Sequence, residues 1–300
     1  MSVLIVGSTA LDSIKTPKRE NPRLLGGSAS HAAAAAGFFA PVKLVGIVGK
    51  DFPKRYIRLY EKHGIDLEGL QIADGKTFHW SGEYEVNMNN RRTLATELGV
   101  FECFEPVLPV SYQDTPYVLL ANIAPILQHH VLDQIRRPKF VIADTMDLWL
   151  NIAMAGLLSL LKRVDAFVLN DSEARQLAKE DNVVTAARKI HKLGPKYVIV
   201  KKGEHGSILS APGGIFLCPA FPLEKVVDPT GAGDSFVGGL IGWMASARGG
   251  DVEATLRRGM LYGSVVASFC CEGFGLTRTT KVTREEIDVR VAALKAMIRV

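Results

Sequence analysis

The segment of residues 228–236 combines two carboxylates with a turn of small residues, in the order Asp-Pro-Thr-Gly-Ala-Gly-Asp-Ser-Phe. An apolar helical pattern begins at Phe236, so the small residues stand where the first backbone N–H groups of a helix lack partners. These groups and the positive end of the helix dipole favour an anion, and phosphate is the usual one. Asp234 would repel that phosphate, which indicates a separate role: it can accept the proton of a hydroxyl group that attacks a phosphoryl group.

A glycine-rich turn capped by an aspartate is the simpler interpretation of a bare Gly-x-Gly-Asp pattern. The longer segment is more specific, because it resembles the C-terminal pattern D-[TP]-x-G-A-G-D of the PfkB (ribokinase-like) family of carbohydrate and nucleoside kinases. The resemblance implies that Asp234 is the catalytic base. It also implies that the backbone amides of Gly231, Ala232 and Gly233 form an anion hole for the transferred phosphoryl group.

Two glycines, Gly26 and Gly27, open an alanine-rich helix, where they serve either tight packing or close approach of the backbone to a ligand. They resemble the family's N-terminal pattern G-G-x-x-x-N, with a titratable histidine, His31, in place of the usual asparagine. Asp12 follows the first apolar strand and Asn122 ends a later one, and ligands bind at the carboxyl ends of strands in such sheets. The resemblance implies that the phosphate acceptor is held by Asp12, Gly26, Gly27, His31 and Asn122.

Two segments carry the predicted nucleotide side of the site. Asn170 and Glu173 resemble the family's N-x-x-E pattern, which implies that Asn170 binds ATP and that Glu173 contacts Mg²⁺ through water. A helix cap is the alternative explanation of this pair. Lys201, Gly203 and Gly206 resemble the family's K-x-G-x-x-G segment, which faces the ATP phosphates and ribose, while a solvated surface charge is the alternative for the lysine.

Two further assignments follow from the resemblance alone. Tyr262 falls where the family places a residue beside the adenine ring. Many members also bind a monovalent cation near the anion hole, and the resemblance would place around a potassium ion, partly through backbone carbonyls, the residues Asp228, Thr230, Ser268, Cys271, Gly273 and Thr277. Helix capping explains Gly273 equally well.

The elements that must position these residues are short apolar runs separated by segments long enough for crossover helices, as at residues 3–6, 140–144 and 197–200. This pattern is typical of a mostly parallel sheet between helices. From about 67 to 107 the chain instead predicts a small antiparallel sheet with a hairpin turn at 87–90. The resemblance implies one α/β domain over residues 1–300, a ribokinase-like three-layer sandwich with a small β-sheet lid, and a homodimer through that lid is a further expectation.

The bulk composition limits the classes of partner. The chain has 300 residues, 47% of them hydrophobic, and its net charge of +5 comes from scattered basic residues, so we expect a globular protein without a nucleic-acid groove. No apolar run is long enough to span a membrane. The four cysteines form no CxxC pair and no basic segment precedes the first strand, which favours a reduced, cytoplasmic protein.

The predicted activity is transfer of the γ-phosphoryl group of ATP, with Mg²⁺, to a primary hydroxyl of a sugar or nucleoside. Phe78, Trp80 and Tyr84 could stack on a nucleobase or simply pack the lid, so the acceptor stays open, with a slight preference for a nucleoside. A sugar-phosphate kinase is an alternative, because Arg91 and Arg92 could supply its basic pocket.

A non-catalytic nucleotide or sugar sensor is the alternative of another class. It is kept open by His31 and by residues 144–147, which depart from the family's D-x-N-x-R pattern. A dehydrogenase is disfavoured, because no G-x-G-x-x-G turn follows the first strand.

Overall fold

The computed structural model describes residues 1–88, 91–247 and 249–299. Its strands in chain order are β1 (Val3–Val6), β2 (Ala10–Lys15), β3 (Glu20–Gly26), β4 (Val42–Gly49), β5 (Ile65–Ala73), β6 (His79–Tyr84), β7 (Arg91–Glu97), β8 (Tyr117–Leu120), β9 (Phe140–Asp144), β10 (Ala166–Asn170), β11 (Tyr197–Lys201), β12 (Ser207–Ala211) and β13 (Gly214–Cys218). The helices are α1 (Ser28–Ala36), α2 (Lys54–Lys62), α3 (Pro125–Gln134), α4 (Asp147–Ile152), α5 (Met154–Leu161), α6 (Asp171–Ala178), α7 (Val183–His191), α8 (Ala232–Ser246), α9 (Val252–Cys271) and α10 (Arg284–Met297).

The larger sheet has the strand order β13-β12-β11-β10-β9-β8-β1-β4-β5. The strands from β5 to β11 pair in parallel, and only β12 and β13 at one edge are antiparallel. Helices cover both faces, so the central strands are buried on both sides and are apolar without alternation. The predicted mostly parallel sheet between two helical layers is therefore confirmed.

Alternate residues of β1 show how the two layers share the sheet. Val3 and Ile5 belong to the apolar core that includes residues of α1, α8, α9 and α10, whereas Leu4 and Val6 belong to the core that includes residues of α3, α5, α6 and α7. All four side chains are fully buried. Their alternation follows from the period of two in a strand.

The smaller sheet has the order β3-β2-β6-β7, and this differs from the predicted lid of residues 67–107. Two of its strands, β2 and β3, lie before that range, while Ile65–Ala73 pairs in parallel with β4 in the larger sheet. The sheet is also not purely antiparallel, because β2 and β6 run in parallel. The sequence did not predict β2 and β3 as strands, because both contain several polar residues and lack apolar alternation. Pro22 lies on β3, which is an edge strand.

The hairpin expected around residues 87–90 is only partly described. Strands β6 and β7 do pair antiparallel. Asn89 and Asn90 lie outside the described residues, so the form of the turn itself stays a prediction. Among the described residues, no helix has the length and apolar character that crossing a membrane requires.

Candidate active site

The predicted anion hole is the start of α8, and glycine is required there. Gly231 stands just before the helix with φ of +78°, a left-handed conformation that favours glycine. A Cβ atom at Gly231 would also collide with the ring of His31. Further along α8, Cβ atoms at Gly238 and Gly242 would collide with the backbone of α1 at Ala32 and Ala36.

The contacts between α8 and α1 show that the two helices are parallel. Gly238 meets Ala32 and Gly242 meets Ala36, so a step of four residues on one helix matches a step of four on the other, and the helices run in the same direction. Their amino ends therefore lie at the same edge of the larger sheet. Both helix dipoles place partial positive charge there.

The three amides predicted for the anion hole differ in their partners. The Ala232 amide donates to the Pro229 carbonyl at 3.1 Å. The amides of Gly231 and Gly233 donate to no acceptor in the described part of the chain. Two of the three predicted donors are thus free to bind an anion.

Lys201 lies beside these amides at the carboxyl end of β11. Its Nζ donates to both oxygens of Asp144, at 3.1 and 3.0 Å, and a Cβ atom built on Gly233 would lie 3.3 Å from the same Nζ. Burial alone would lower the pKa of Lys201, but Asp144, Glu173 and Asp234 together raise it, so the lysine stays charged. The solvated surface role for Lys201 is therefore not what the structure shows.

Asp144 was not among the predicted site residues, although its segment was noted as a departure from the family pattern. It ends β9, two strands from β11, so its carboxylate and Lys201 meet at the same edge of the sheet. Its side chain is 5% exposed. The available signal was the acidic residue at one strand end and the lysine at another.

Asp234 lies in the first turn of α8 and is half-buried. Burial raises the pKa of its carboxyl group, and the charges of Lys201 and Arg91 oppose that shift. A carboxylate with a raised pKa near a phosphate site is suited to general base catalysis close to neutral pH. The structure therefore gives Asp234 surroundings that fit its predicted role.

Asp12 faces the same space from β2. A Cβ atom at Gly26 would collide with its carboxyl group, and the Gly27 amide donates to it. Burial, then the charges of Asp228 and Asp234, raise the pKa of Asp12 to about 7, against the effect of the Gly27 amide and Arg91. Asp12, Gly26 and Gly27 are thus brought together as predicted.

The inner face of the small sheet is defined by strand register. Asp12 pairs with Trp80 on β6, and Tyr84 pairs with Arg91 on β7, so these side chains share the face that holds Asp12. Tyr84 also accepts a hydrogen bond from Thr230 Oγ1 at 3.0 Å, which ties this face to the turn before α8. We call this surface the inner face of the small sheet.

His31 lies behind the Gly231 turn and is 1% exposed. Burial lowers its pKa to about 4, so the ring is neutral. Its Nδ1 is 3.8 Å from the Cys270 sulfur, and its Nε2 has no hydrogen-bond partner among the described residues. The structure shows a packing role beneath the turn, and direct contact with the acceptor stays a prediction.

Both polar atoms of the Asn122 side-chain amide form hydrogen bonds. Its Oδ1 accepts a hydrogen bond from Trp149 Nε1 at 2.8 Å, and its Nδ2 donates to the Met146 sulfur at 3.1 Å. Met146 belongs to residues 144–147, which depart from the family pattern, and Trp149 follows in α4. An acceptor contact by Asn122 would therefore replace or share these bonds.

Asn170 and Glu173 form the helix cap that was the alternative explanation. Asn170 Oδ1 accepts from the Glu173 amide at 2.8 Å, and Glu173 Oε2 accepts from the Asn170 amide at 2.7 Å, which is a capping box. Burial raises the pKa of Glu173 to about 7, while Lys201 opposes that shift. The cap and a metal role are compatible, because one carboxylate oxygen of Glu173 remains beyond the cap.

A cavity of about 990 Å³ opens from the anion hole. Lys201, Gly233 and Ala232 line one part of it, and Gly203 and Gly206 line it too, while their contact with ATP stays a prediction. Gly203 has φ of +57° and Gly206 has φ of +81°, and a Cβ at Gly206 would collide with the Cys218 carbonyl. The remaining walls include the apolar residues Phe221, Pro222, Val226, Phe236 and Ala267.

Tyr262 does not line this cavity, so its predicted place beside the adenine ring stays a prediction without support from the packing. Its ring stacks on Trp243 with centroids 3.8 Å apart and packs against Phe39, away from the cavity. The α9 residues that do line the cavity include Ser264 and Ala267. Two residues along a helix correspond to about 200°, so Tyr262 lies on the opposite face from Ser264.

The predicted potassium ligands already form hydrogen bonds within the protein. Asp228 is fully buried, and its two oxygens accept from the amides of Thr230 at 2.9 Å and Gly275 at 3.1 Å. Ser268 Oγ donates to the Val265 carbonyl and accepts from Arg290, and Thr277 Oγ1 donates to the Phe274 carbonyl. Cys271 uses its carbonyl to accept from Val227, and the Gly273 amide donates to Cys270. Side-chain contact of Ser268 and Thr277 with a cation is therefore not supported.

Bound ATP and Mg²⁺ are compatible with these residues. The cavity joins an apolar wall to free amides and a charged lysine, which matches a nucleotide base followed by phosphates. The described residues include no cluster of three His, Cys, Asp or Glu side chains placed to hold a metal directly. Mg²⁺ that retains waters and binds through phosphates requires no such cluster.

Phosphoryl transfer to an alcohol is the chemistry that this cleft can perform, because free amides that can bind an anion lie near the carboxyl groups of Asp234 and Asp12. The family model for pfkB family carbohydrate kinases matches residues 3–272, so the chain belongs to that family. It is an ATP-dependent kinase that phosphorylates a hydroxyl group of a sugar or nucleoside.

Two curated relatives extend over most of the chain. A cytidine kinase of Thermococcus kodakarensis is 30% identical over 267 residues, which cover 87% of this chain and 94% of that protein. An ATP-dependent ribose-1-phosphate kinase of Halopiger xanaduensis is 27% identical over 250 residues, covering 81% and 80%.

Solved structures agree on the fold. A nucleoside kinase of Methanocaldococcus jannaschii, described as an archaeal member of the ribokinase family, has a TM-score of 0.78 at 21% identity, covering 97% of this chain and 98% of that one. A ribokinase of Thermotoga maritima has a TM-score of 0.77 at 21% identity, covering 97% and 99%. The predicted ribokinase-like fold is thus confirmed.

Proposed function

We propose that this kinase phosphorylates the primary hydroxyl of a nucleoside, with cytidine as the first candidate. The observation that carries the proposal is the position of Trp80 beside Asp12 on the inner face of the small sheet. A Cβ atom at Gly82 would collide with the indole ring, so the ring lies against the sheet where Gly82 leaves room. Such a ring offers a flat surface to a nucleobase, while Asp12 binds the hydroxyls of the attached sugar.

The curated relatives support the same acceptor class. The relative that is 30% identical is a cytidine kinase. Its similarity covers 87% of this chain. A pyrimidine nucleoside is therefore the first acceptor to test.

The proposed mechanism assigns one task to each part of the site. Asp12 orients the sugar, and Asp234 accepts the proton of the primary hydroxyl as it attacks the γ-phosphoryl group. The amides of Gly231 and Gly233, together with Lys201, stabilise the negative charge on the transferred group. The small sheet acts as a lid that excludes water from the reacting groups.

Two metal ions belong to the proposal. Mg²⁺ would be held by Glu173 through water, and it supplies charge neutralisation along the ATP phosphates. Potassium would lie near Asp228, a fully buried carboxylate whose pKa is raised by burial. The potassium proposal is tested by comparing rates in sodium and potassium chloride at equal ionic strength. Equal rates in the two salts would reject it.

A sugar phosphate is the second candidate acceptor, and Arg91 favours it. Arg91 shares the inner face with Asp12, and its charge acts on both Asp12 and Asp234. A guanidinium in that position can bind a phosphate on the acceptor. The ribose-1-phosphate kinase among the relatives supports this alternative.

The assembly and location are proposed from weaker signals. A homodimer would form through the small sheet, where Leu94 on β7 is 49% exposed. Light scattering at several concentrations tests it, and a constant monomer mass would reject it. All four cysteines are free thiols, which fits a reducing cytoplasm.

One experiment separates the acceptors. The purified protein with ATP and Mg²⁺ is offered cytidine, uridine, adenosine, ribose and ribose 1-phosphate, and the wild type is compared with Trp80→Leu and Arg91→Gln. We expect cytidine to be phosphorylated and Trp80→Leu to raise its KM about tenfold, because base stacking contributes about 1–3 kcal/mol. Preference for ribose 1-phosphate together with a strong effect of Arg91→Gln would overturn the nucleoside proposal.

A further inference from the structure

Strand β2 connects the acceptor side of the site to the nucleotide cavity. Asp12 lies in the middle of the strand, and the turn of residues 16–19 that follows it lines the cavity. Residues advance about 3.3 Å each along a strand, so this turn begins about 13 Å beyond Asp12. We call residues 16–19 the β2–β3 tip.

The β2–β3 tip is held by its own hydrogen bonds. The Thr16 amide donates to the Arg19 carbonyl at 2.8 Å, and the Arg19 amide donates back to the Thr16 carbonyl at 3.3 Å and hydroxyl at 3.2 Å. Thr16 is buried, whereas Lys18 and Arg19 are exposed at the cavity wall. The two cations are therefore carried by a hydrogen-bonded turn.

The basic residues of this hairpin differ in whether they form ion pairs within the protein. Lys15 binds Glu83 at 2.8 Å and Arg23 binds Asp51 at 2.7 Å. Lys18 and Arg19 have no ion-pair partner among residues 1–88, 91–247 and 249–299, yet these two line the cavity. Another wall of the same cavity presents Lys201 and the amino end of α8, so positive charge faces the cavity from two sides.

We propose that the β2–β3 tip is part of the nucleotide site: Lys18 and Arg19 bind the phosphate chain of the nucleotide. Because β2 also carries Asp12, the strand couples nucleotide binding to acceptor binding. Such coupling is reciprocal, so each ligand raises the affinity for the other by the same factor. The phosphate contact is independent of the acceptor, and only the coupling test rests on the proposed nucleoside function.

The phosphate contact is tested by calorimetric titration with ATP, ADP and adenosine. The tip variant Lys18→Gln/Arg19→Gln is compared with a control variant, Lys15→Gln/Arg23→Gln, which removes the same charge from the same hairpin. We expect the tip variant to bind ATP about tenfold more weakly, ADP less affected, and adenosine as the wild type does. The control variant should bind all three as the wild type does.

Several results would overturn the phosphate contact. Wild-type affinity of the tip variant for ATP would do so directly. An equal loss of adenosine affinity would show that the tip contacts the nucleoside part instead. An equal loss in the control variant would show an effect of net charge alone.

The coupling is tested by measuring cytidine affinity with and without a non-hydrolysable ATP analogue. In the wild type the analogue should tighten cytidine binding, and the tip variant should keep its affinity for cytidine alone but lose that tightening. Unchanged tightening in the tip variant would reject the link through β2. If the wild type fails to bind cytidine, the proposed acceptor is rejected, the phosphate titration stands, and the same comparison with ribose 1-phosphate decides the coupling.

Discussion

Asp12→Asn should make the protein more stable above neutral pH while it removes activity. The fold raises the pKa of Asp12 from 3.8 to about 7, chiefly because the carboxyl group is buried, and secondarily because Asp228 and Asp234 are close. The substitution keeps the size of the side chain and the oxygen that accepts from the Gly27 amide. It removes only the charge that the surroundings disfavour.

The magnitude follows from the pKa shift. A raised pKa means that the folded state favours the protonated carboxyl group, so the stability that this group contributes is present below pH 4 and is lost as the pH rises to about 7. A shift of about three units at about 1.4 kcal/mol each corresponds to about 4 kcal/mol, an upper value. The Asn variant avoids this loss, so its advantage should grow from pH 4 to pH 7 and then stay constant.

Thermal unfolding between pH 5 and pH 9 measures the difference. In a chain of this size about 1 kcal/mol corresponds to about 2 °C, so the Asn variant should unfold about 8 °C higher than the wild type at pH 8 and about 3 °C higher at pH 5. Asp114→Asn is the control, because Asp114 has a side chain that is 72% exposed, and its curve should follow the wild type. An Asp12→Asn variant no more stable than the wild type at pH 8 would refute the argument.

Three further predictions concern the anion hole. Asp234→Asn should lower kcat by about 10²–10⁴ with ATP affinity retained, and a near-normal kcat in steady-state assays would exclude it as the base. Lys201→Met should weaken ATP binding and lower the Tm, because Asp144 would be left buried without its partner; adding Asp144→Asn should restore the Tm but not the ATP affinity. Gly231→Ala should lower the Tm far more than Gly249→Ala, since both have φ near +79° but only the first Cβ meets a neighbour within 4 Å; equal losses would show that φ alone decides.

The parts of the site that the sequence predicted are those carried by short continuous segments. Residues 228–234 form a turn and a helix start whose chemistry depends on local geometry, and the structure keeps that geometry. The central strands were also predictable, because burial on both faces leaves an uninterrupted apolar run, as in β1. In both cases the local structure is determined by residues that are close together in the sequence.

The parts that the sequence did not predict depend on contacts between distant segments. Strand β2 pairs with β6 about 68 residues later, Asp12 with Trp80, and no local pattern in either strand indicates this pairing. The Asp144–Lys201 ion pair joins ends of two strands that are separated in the sheet by β10. Tyr262 was placed by sequence position, while the face of α9 that meets the cavity is decided by how the helix packs.

The close contact of α1 with α8 has a consequence for how acceptor preference can change. A glycine of the site directly precedes each helix, Gly27 before α1 and Gly231 before α8, and the close contacts at Gly238 and Gly242 leave no space for one helix to slide along the other. The separation between the start of α1 and the start of α8 is thus fixed by the packing of these two helices. On the proposed function the residues that choose the acceptor lie on the small sheet, so exchanging that sheet between relatives should change which molecule is phosphorylated while the catalytic residues stay the same.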